Sequence, residues 1–416
     1  MGHAKLTSND HSGQWPAFLR DKSVNNAPNT TVGTPVVVEM SVKGAESKLE
    51  ELLTQNTVLE VIDSYDEQLA ELLLSKDAHL YRANESVQIH SLADQLDKHY
   101  GKTPSWKLGS WVYYPWNGKL LHVIERKSFN DLHTIRNRDL ITKEEQERLA
   151  AFNIACLGMS VGSSSALALA LSGISDKIKL ADGAVISGSN LNRILAGIQN
   201  IGQAKTLVIQ QKLYEMNPYL DVFSLKSKVT KSNLNELFEK PWKINLVIDE
   251  IDDLEMKILV RVEARKRQIP VLMATELGDS VMLDVERFDL DSTIPLFHGL
   301  VPNIEDVLRK KDMTGREWMK YATAIIGPDN VPLNMQQSLL KIGTKVVTHP
   351  QLGGTAMMTG GVLAFAAKQI ALGHSLPSMR KSISLEKVFL KEHSSYKHKR
   401  KHAKHTKILK RSLGSM

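Results

Sequence analysis

The chain has 416 residues, of which 42% are hydrophobic and 24% charged, as in globular proteins large enough for two or three domains. It contains no apolar run near the ~20 residues that span a bilayer, and its polar N-terminus does not resemble a secretory signal, so we expect neither. A single cysteine excludes an intrachain disulfide and a four-cysteine zinc site, and it fits a cytoplasmic location. The net charge of +7 is concentrated in the tail, where eight Lys or Arg residues and no acid lie between Lys397 and Arg411.

The N-terminal third is predicted to contain two regions. Residues 1–43 are rich in Asn, Ser, Thr, Pro and Gly, a composition that predicts disorder. Residues 44–139 contain short amphipathic patches and are predicted to form an accessory α+β region.

An aromatic hairpin is predicted within the accessory region. The runs 112–114 and 120–124 flank Asn117-Gly118, a pair that is typical of a β-hairpin turn. Three of the six tryptophans lie between Trp106 and Trp116. They could stack on an adenine base, but we favour a structural role, because aromatic side chains dominate small cores.

A mononucleotide-binding βαβ pattern begins at Asn153. The run 154–157 is apolar and predicts a buried strand, and a turn with Gly158, Ser160 and Gly162 follows it. An Ala/Leu-rich helix and a second strand lead to Asp182. Small residues let the backbone approach a phosphate, and a helix N-terminus offers free N–H groups. We therefore expect phosphate contacts at this turn, and ribose hydroxyls donating to Asp182.

Predicted strands alternate with predicted helices between residues 140 and 390. This order predicts an α/β fold, a Rossmann-like, mostly parallel sheet with flanking helices. The mostly apolar run 244–248 indicates a buried parallel strand, and the acidic cluster 249–253 follows it directly. Other strands are predicted over 178–181, 222–228, 270–274, 281–288 and 384–390.

Residues 391–416 form a basic, low-complexity tail. Its charge predicts a contact with nucleic acid, anionic lipid or an acidic partner. A disordered, solubilising tail is the alternative.

Several motifs after Asp182 appear in an order that resembles the ThiF/MoeB superfamily, the adenylating fold of ubiquitin-activating enzymes and their bacterial relatives. They are Ser189-Asn190-Leu191-Asn192-Arg193, Gly202-Gln203-Ala204-Lys205, Asn217-Pro218 and Asp249-Glu250-Ile251-Asp252. The resemblance covers about residues 140–289. The segments 111–116, 136–138, 284–289 and 297–300 are similar to a poorly characterised bacterial ThiF-type subgroup.

The resemblance implies an ATP-dependent adenylyltransferase that uses Mg²⁺ and activates a carboxylate, such as the C-terminus of a ubiquitin-like protein or peptide. In such an enzyme Asp182 would hold the ribose, and Asn190 and Arg193 would contact the phosphates. Lys205 would neutralise charge at the α-phosphate, and Asp252 would bind Mg²⁺. Arg193, Lys205 and Asp252 would be the catalytic residues. The resemblance also implies a homodimer.

The sequence departs from the family pattern in ways that keep other functions open. The glycine motif is reduced to Gly158 and Gly162, and Gly183-Ala184 replaces a second acid after Asp182. Cys156 lies in the first predicted strand, where we expect a buried thiol and no thioester relay. An ATP-binding pseudoenzyme or regulatory module is the alternative function, and an NAD-dependent oxidoreductase is a lesser one.

Residue types alone also allow simpler roles at the site. Asn190 could be a turn residue, and Arg193 and Lys205 could be ordinary surface cations. The acids beside Asp252 could replace it as the metal ligand.

Overall fold

The computed structural model describes residues 31–54, 58–225, 227–309 and 314–413. They divide into two compact units, with the boundary between Ile135 and Arg136. The predicted boundary between accessory region and main domain lay a few residues later, at 139–140. Every helix in the described ranges is too short or too polar to cross a membrane.

The first unit contains a four-stranded sheet in the order β1-β3-β4-β2. Its strands are β1 (Val36–Glu39), β2 (Glu60–Asp63), β3 (Ser110–Tyr114) and β4 (Lys119–Val123), and its helices are α1 (Ala45–Thr54), α2 (Tyr65–Lys76), α3 (Ala78–Tyr81), α4 (Glu85–Tyr100) and α5 (Arg126–His133). Strands β3 and β4 are antiparallel across the turn at Gly118, whose amide donates to the Tyr114 carbonyl at 2.9 Å. The predicted hairpin is therefore confirmed.

Two N-terminal predictions can be compared with this unit. Disorder up to residue 43 is wrong for β1, because β1 pairs with β3 and Val38 is buried in the core. Residues 1–30 of the predicted disordered segment lie outside the described residues.

The aromatic cluster of the accessory region is part of its core. Trp111 and Trp116 are buried, and the Trp111 ring stacks on His122 at 4.4 Å. This burial supports the structural role of the cluster over base stacking.

The second unit is built on a seven-stranded sheet in the order β11-β10-β9-β8-β5-β6-β7. Its strands are β5 (Ile154–Leu157), β6 (Lys177–Ala181), β7 (Asp221–Leu225), β8 (Leu246–Asp249), β9 (Val271–Glu276), β10 (Ser280–Glu286) and β11 (Met379–Ser384). Strands β5 to β9 are parallel, whereas β10 and β11 are antiparallel additions at one side. The mostly parallel α/β sheet predicted from the sequence is confirmed.

The chain places β6 and β7 on one side of β5 and β8 and β9 on the other. This reversal is a topological switch point, and open α/β sheets bind ligands beside such a point, at the carboxyl ends of the strands. The flanking helices are α6 (Lys143–Ala150), α7 (Gly162–Leu171), α8 (Lys205–Met216), α9 (Leu234–Glu239), α10 (Leu254–Lys266), α11 (Gly315–Ile326), α12 (Leu333–Leu339), α13 (Gly353–Ala371), α14 (Leu385–Phe389) and α15 (Tyr396–Leu413).

Two strand predictions need correction. The strand predicted over 222–228 ends at Leu225, in β7. The strand predicted over 384–390 is instead helix α14, and the last strand lies just before it. The side chain of Ser384 accepts a hydrogen bond from the Lys387 amide and so caps this helix.

Helix α15 occupies the segment predicted as a low-complexity tail. Its His402 ring donates from Nε2 to the Val331 carbonyl at 2.8 Å, and Leu409 is 1% exposed. The disordered alternative is therefore wrong for residues 396–413, because the helix has an inner face that packs on the unit.

Candidate functional site

A cleft of about 180 Å³ lies at the carboxyl ends of β5, β6 and β8. Five of the predicted site residues line it, namely Gly158, Ser160, Asp182, Lys205 and Asp252. The other lining residues are Ala181, Gly183, Ala184, Lys228, Val229, Glu250, Ile251, Asp253 and Met256.

The glycine turn lies between β5 and α7 and brings its backbone close to the loop after β8. Gly158 has φ +83°, and a Cβ at this position would lie 2.2 Å from the Glu250 carbonyl oxygen. Both the conformation and the contact therefore require glycine. Its amide donates to the Ala181 carbonyl at 2.8 Å, which ties the turn to the end of β6.

Asp182 holds the turn in place from the end of β6. Its Oδ2 accepts from the Met159 amide at 2.7 Å, and its Oδ1 accepts from the Ala184 amide at 2.7 Å. The Nζ of Lys205 lies 3.7 Å from Oδ2. An ionised carboxylate has about four lone-pair sites, so Asp182 can still accept hydrogen bonds from a ligand.

Arg193 does not line the cleft itself but contacts a residue that does. Its Nε donates to Ser160 Oγ at 3.0 Å, and its Nη1 donates to the Ser189 carbonyl at 3.0 Å. Burial lowers the pKa of Arg193, while Glu276 and Asp252 act in the opposite direction. The guanidinium is thus half-buried beside two carboxylates.

Besides Arg193, two of the predicted nucleotide contacts lie away from the cleft lining. Gly162 is the buried first residue of α7, and Asn190 is 8% exposed. The Oδ1 of Asn190 accepts from the Ser187 amide at 3.1 Å. This contact is the one expected of a turn residue, so the simpler role proposed for Asn190 has structural support.

Two acids of the cluster 249–253, Asp249 at the end of β8 and Asp253, are already engaged by neighbouring groups. Asp249 is buried and pairs with Lys257 and Arg261; its burial opposes ionisation, but these cations hold its pKa below the ordinary value. Asp253 caps α10 by accepting from the Met256 amide at 3.2 Å.

Asp252 is the member of this cluster with a carboxylate available to a cation. It is exposed at the cleft, and within the described ranges it makes no hydrogen bond or ion pair. No group of three or more His, Cys, Asp or Glu side chains suited to a metal occurs in the described part of the chain. Mg²⁺ needs no such group, because phosphates and water supply most of its ligands. A single carboxylate beside a phosphate site therefore fits this ion.

Two half-buried glutamates near the cleft, Glu250 and Glu276, were given no role of their own by sequence reasoning. Burial raises the pKa of Glu250 to about 8, although its Oε1 accepts from the Ala274 amide at 2.7 Å. Burial also raises the pKa of Glu276, at the end of β9, to about 7. Its Oε2 accepts from Gln351 at 3.3 Å, whereas Oε1 is buried without a partner among the described residues. Their strand-end positions were a usable signal.

The structure explains the missing acid at Gly183 and confirms the predicted burial of Cys156. A Cβ on Gly183 would lie 2.9 Å from the Lys228 Cβ, so the loop after β7 leaves no room for an acid there. Cys156 is completely buried in β5, as predicted, and burial raises the pKa of its thiol well above the ordinary range.

Comparison with known protein families and sequences gives one family. A sequence model of the ThiF family matches residues 134–407, which extends beyond the predicted domain end at 390 and into α15. The chain is 32% identical over 270 residues to the uncharacterized protein MT1398 of Mycobacterium tuberculosis (strain CDC 1551 / Oshkosh). This match covers 65% of the chain but 37% of the relative, so the chain spans little more than a third of that protein.

Two further relatives have functional names. The tRNA threonylcarbamoyladenosine dehydratase of Bacillus subtilis (strain 168) is 31% identical over 208 residues, covering 50% of the chain and 78% of the relative. A probable molybdopterin-synthase adenylyltransferase of Porphyra purpurea is 32% identical over 122 residues, covering 29% of the chain and 31% of the relative.

Solved structures with a similar fold include PaaA, with a TM-score of 0.43 and 18% identity over 62% of this chain and 68% of that one. Another is the E. coli dehydratase TcdA in complex with ATP, with a TM-score of 0.38 and 23% identity over 58% of this chain and 93% of that one. The family match alone covers well over half of the sequence. The chain belongs to the ThiF family.

Proposed function

We propose that this chain is an ATP-dependent adenylyltransferase that activates a carboxylate. A carboxylate oxygen of the substrate attacks the α-phosphorus of ATP, a bond forms between them, and pyrophosphate leaves with the electron pair of the broken P–O bond. The products are an acyl-adenylate and pyrophosphate. The observation that carries the proposal is the cleft at the switch point, where Asp182, Lys205 and Asp252 surround the glycine turn in a ThiF-family chain.

Each of these side chains suits one part of ATP. The strand-end carboxylate of Asp182 suits ribose hydroxyls, which donate hydrogen bonds to it. Lys205, within 3.7 Å of that carboxylate, suits the α-phosphate as a compact positive charge. Arg193 suits phosphate oxygens through the two N–H groups of Nη2, which have no partner in the described part of the chain. Asn190 would act by holding the segment that carries Arg193.

Mg²⁺ fits the proposal through Asp252. Its carboxylate would hold the ion, and the ion would neutralise charge on the phosphates when bound. Protein catalysis would then consist of positioning and charge neutralisation by Arg193, Lys205 and the turn amides. The pyrophosphate leaving group needs no proton from the protein, because it leaves as a stable anion.

The acyl-adenylate would remain an adenylate or pass directly to an acceptor. Cys156 is buried in a strand and cannot reach a substrate, which disfavours a thioester on this chain. We further propose that the carboxylate is a peptide or ubiquitin-like C-terminus, that the protein acts as a homodimer, and that it works in the cytoplasm. These three points rest on the ThiF family and on the single cysteine.

The test is ATP–pyrophosphate exchange with Mg²⁺ over a panel of peptides, amino acids and small acids. Exchange that depends on one carboxylate class supports the proposal. ATP binding without exchange over the whole panel overturns it in favour of a binding or regulatory module. Turnover of a reduced nicotinamide instead would favour the oxidoreductase.

Asp252→Asn and Asp253→Asn form a matched pair for the metal role. Both remove one negative charge from the same loop, and Asn caps a helix about as well as Asp, so Asp253→Asn keeps α10 intact. We expect exchange to fall by about a hundredfold or more for Asp252→Asn, in the range found for groups that stabilise transition-state charge. The exchange rate of Asp253→Asn should stay within a few-fold of the wild-type rate. Equal losses in both variants would contradict the assignment.

A further inference from the structure

Helix α15 is anchored to the second unit by one face. Gln336 donates from Nε2 to Thr406 Oγ1 at 2.7 Å, and His402 donates to the Val331 carbonyl at 2.8 Å. Leu409 is buried on the same face. Ser395 begins the helix, because its Oγ accepts from the His398 amide at 3.2 Å. The helix is therefore held in a defined orientation, and its opposite face is presented to solvent.

The solvent face of α15 has a continuous basic stripe. The stripe residues recur at spacings of three and four and are all exposed, which places them on one side of the helix. We call them the outer stripe: Lys397, Arg400, Lys404, Lys407 and Arg411. Fourteen residues separate its ends, so the outer stripe is about 21 Å long at 1.5 Å per residue.

The charge of the outer stripe is not neutralised by this chain. Helix α15 contains eight Lys or Arg residues and no acid. Lys410, beside the stripe, pairs with Asp329 at 2.7 Å, whereas the stripe residues have no ion pair within the described ranges. Like charges three or four residues apart repel each other and weaken a helix. A polyanion on this face would remove the repulsion and release its own counterions.

We propose that the outer stripe of α15 docks the phosphate backbone of a double-stranded nucleic acid without reading its base sequence. The regular spacing and rigid presentation suit a repeating row of phosphates. Helix α15 has one exposed Phe, Tyr or Trp side chain, Tyr396 at its first position, 81% exposed. A single aromatic ring cannot stack on a run of unpaired bases, so a duplex fits better than a single strand. This inference does not depend on the adenylation activity.

Two other polyanionic partners fit the outer stripe less well. A helix that lies on a membrane inserts a broad apolar face, but here the side of α15 that carries Leu409 packs on the protein. Of the large apolar side chains that the structure describes on α15, only Tyr396 and the partly exposed Ile408 lie beside the outer stripe, which is too little for such a face. Interfaces with proteins depend on clustered aromatic or aliphatic anchors, whereas Tyr396 and Ile408 lie twelve residues apart on α15 and form no cluster. These partners remain as outcomes of the test.

The experiment measures binding of the full chain to short duplex RNA and duplex DNA of random sequence by fluorescence anisotropy, between about 50 and 200 mM salt. The triple variant Arg400→Glu, Lys404→Glu, Lys407→Glu removes the centre of the outer stripe and keeps the anchoring face. Each phosphate contact contributes about 0.9 to the slope of log affinity against log salt, so the variant should lower the slope by about three. We expect affinity at low salt to fall tenfold or more.

Lys43→Glu, Lys48→Glu, Lys76→Glu is the matched control, because these exposed lysines of the first unit give the same change in net charge. The affinity of this control for the duplexes should fall by no more than a few-fold. A triple Gln variant at the three stripe positions separates lost contacts from added repulsion, and circular dichroism checks that the helix persists. The proposal is overturned if the wild type binds neither duplex, if the control loses as much as the stripe variant, or if vesicles with phosphatidylserine or poly-glutamate bind more tightly than the duplexes.

Discussion

Arg193 Nε donates a hydrogen bond of 3.0 Å to Ser160 Oγ and so joins two motifs that lie 33 residues apart in the sequence. Ser160 belongs to the glycine turn and lines the cleft. Two acceptors, the Ser189 carbonyl and Asn192 Oδ1, hold Nη1 at 3.0 and 2.9 Å. The guanidinium is therefore fixed before a ligand arrives, with Nη2 still able to donate. This is the preorganisation that a phosphate contact requires.

Arg193→Gln should weaken ATP binding by about ten- to a hundredfold, since a hydrogen bond to a charged group contributes about 1.5–3 kcal/mol. The ATP affinity of Arg193→Lys should lie between those of the wild type and Arg193→Gln, because lysine keeps the charge but lacks the planar guanidinium. Isothermal titration with a non-hydrolysable ATP analogue measures both. The control is Ser160→Ala, which removes one neutral partner and should cost less than about tenfold. Unchanged affinity in Arg193→Gln would remove this residue from the site.

Glu250 should make stability depend on pH. Burial raises its pKa from 4.5 to about 8, so the folded state keeps a proton that the unfolded state releases. The stability from this proton is present below pH 4.5 and is lost as pH rises to about 8. Glu250→Gln stays neutral and should gain stability relative to the wild type over this range, by about 1.4 kcal/mol per pH unit at most.

Urea unfolding at several pH values measures this difference. Glu255→Gln, on the exposed start of α10, is the control and should show no comparable trend. A constant difference between Glu250→Gln and the wild type from acid to pH 8 would contradict the assignment.

Gly360 is required by the packing of α13 on α7. A Cβ at Gly360 would lie 2.5 Å from the Ser164 carbonyl oxygen, a backbone atom that cannot move freely. Gly360→Val should therefore destabilise the second unit by about 1–3 kcal/mol or more. Gly361→Ala is the neighbouring control, since its Cβ would meet nothing within 4 Å and Ala favours a helix by up to about 1 kcal/mol. In thermal unfolding, Gly360→Val should melt at a lower temperature than the wild type and Gly361→Ala at a higher one.

Arg261 joins two buried carboxylates below the cleft. It pairs with Asp249 and with Glu286 at 2.6 Å, and its guanidinium lies 4.2 Å from the centre of the Phe297 ring. Arg261→Met would leave both acids without their shared partner, at a cost of about 3–5 kcal/mol. The control is Arg265→Met on the same helix, whose pair with Glu305 is partly exposed and should contribute at most about 1 kcal/mol.

Chemical denaturation compares these two arginine variants. If Arg265→Met cost as much as Arg261→Met, burial of the charge pair would not be the cause. Circular dichroism follows the transition, because both units contain tryptophans and their fluorescence would not separate the two.

Much of the second unit could be predicted from local patterns. Apolar runs gave β5 and β8, and the alternation of strands with helices indicated a parallel sheet. Strand β10 was predicted over 281–288, but its antiparallel direction was not, because an apolar strand has the same pattern in either direction. Strand β11 was not predicted, because its sequence is largely polar and only its last residue is buried. Helix α14 was mistaken for a strand because a five-residue segment shows too little of either period.

The site shows the same division. The motif order identified Gly158, Ser160, Asp182, Lys205 and Asp252, and all five line one cleft. Burial, however, cannot be read from a motif. The raised pKa values of Glu250 and Glu276 come from the layers that cover these side chains, and the choice of Asp252 from its cluster comes from which neighbours are already bonded.

The sequence by itself determined the family, most strands and helices of the second unit and the residues that reach the carboxyl edge, because these follow from local periodicity and from motif spacing along the chain. Only the tertiary structure decided that Arg193 meets Ser160, that Gly183 faces Lys228, and that the basic tail is a helix with one anchored face. These contacts join segments distant in sequence, so they depend on how the helices and loops pack around the sheet.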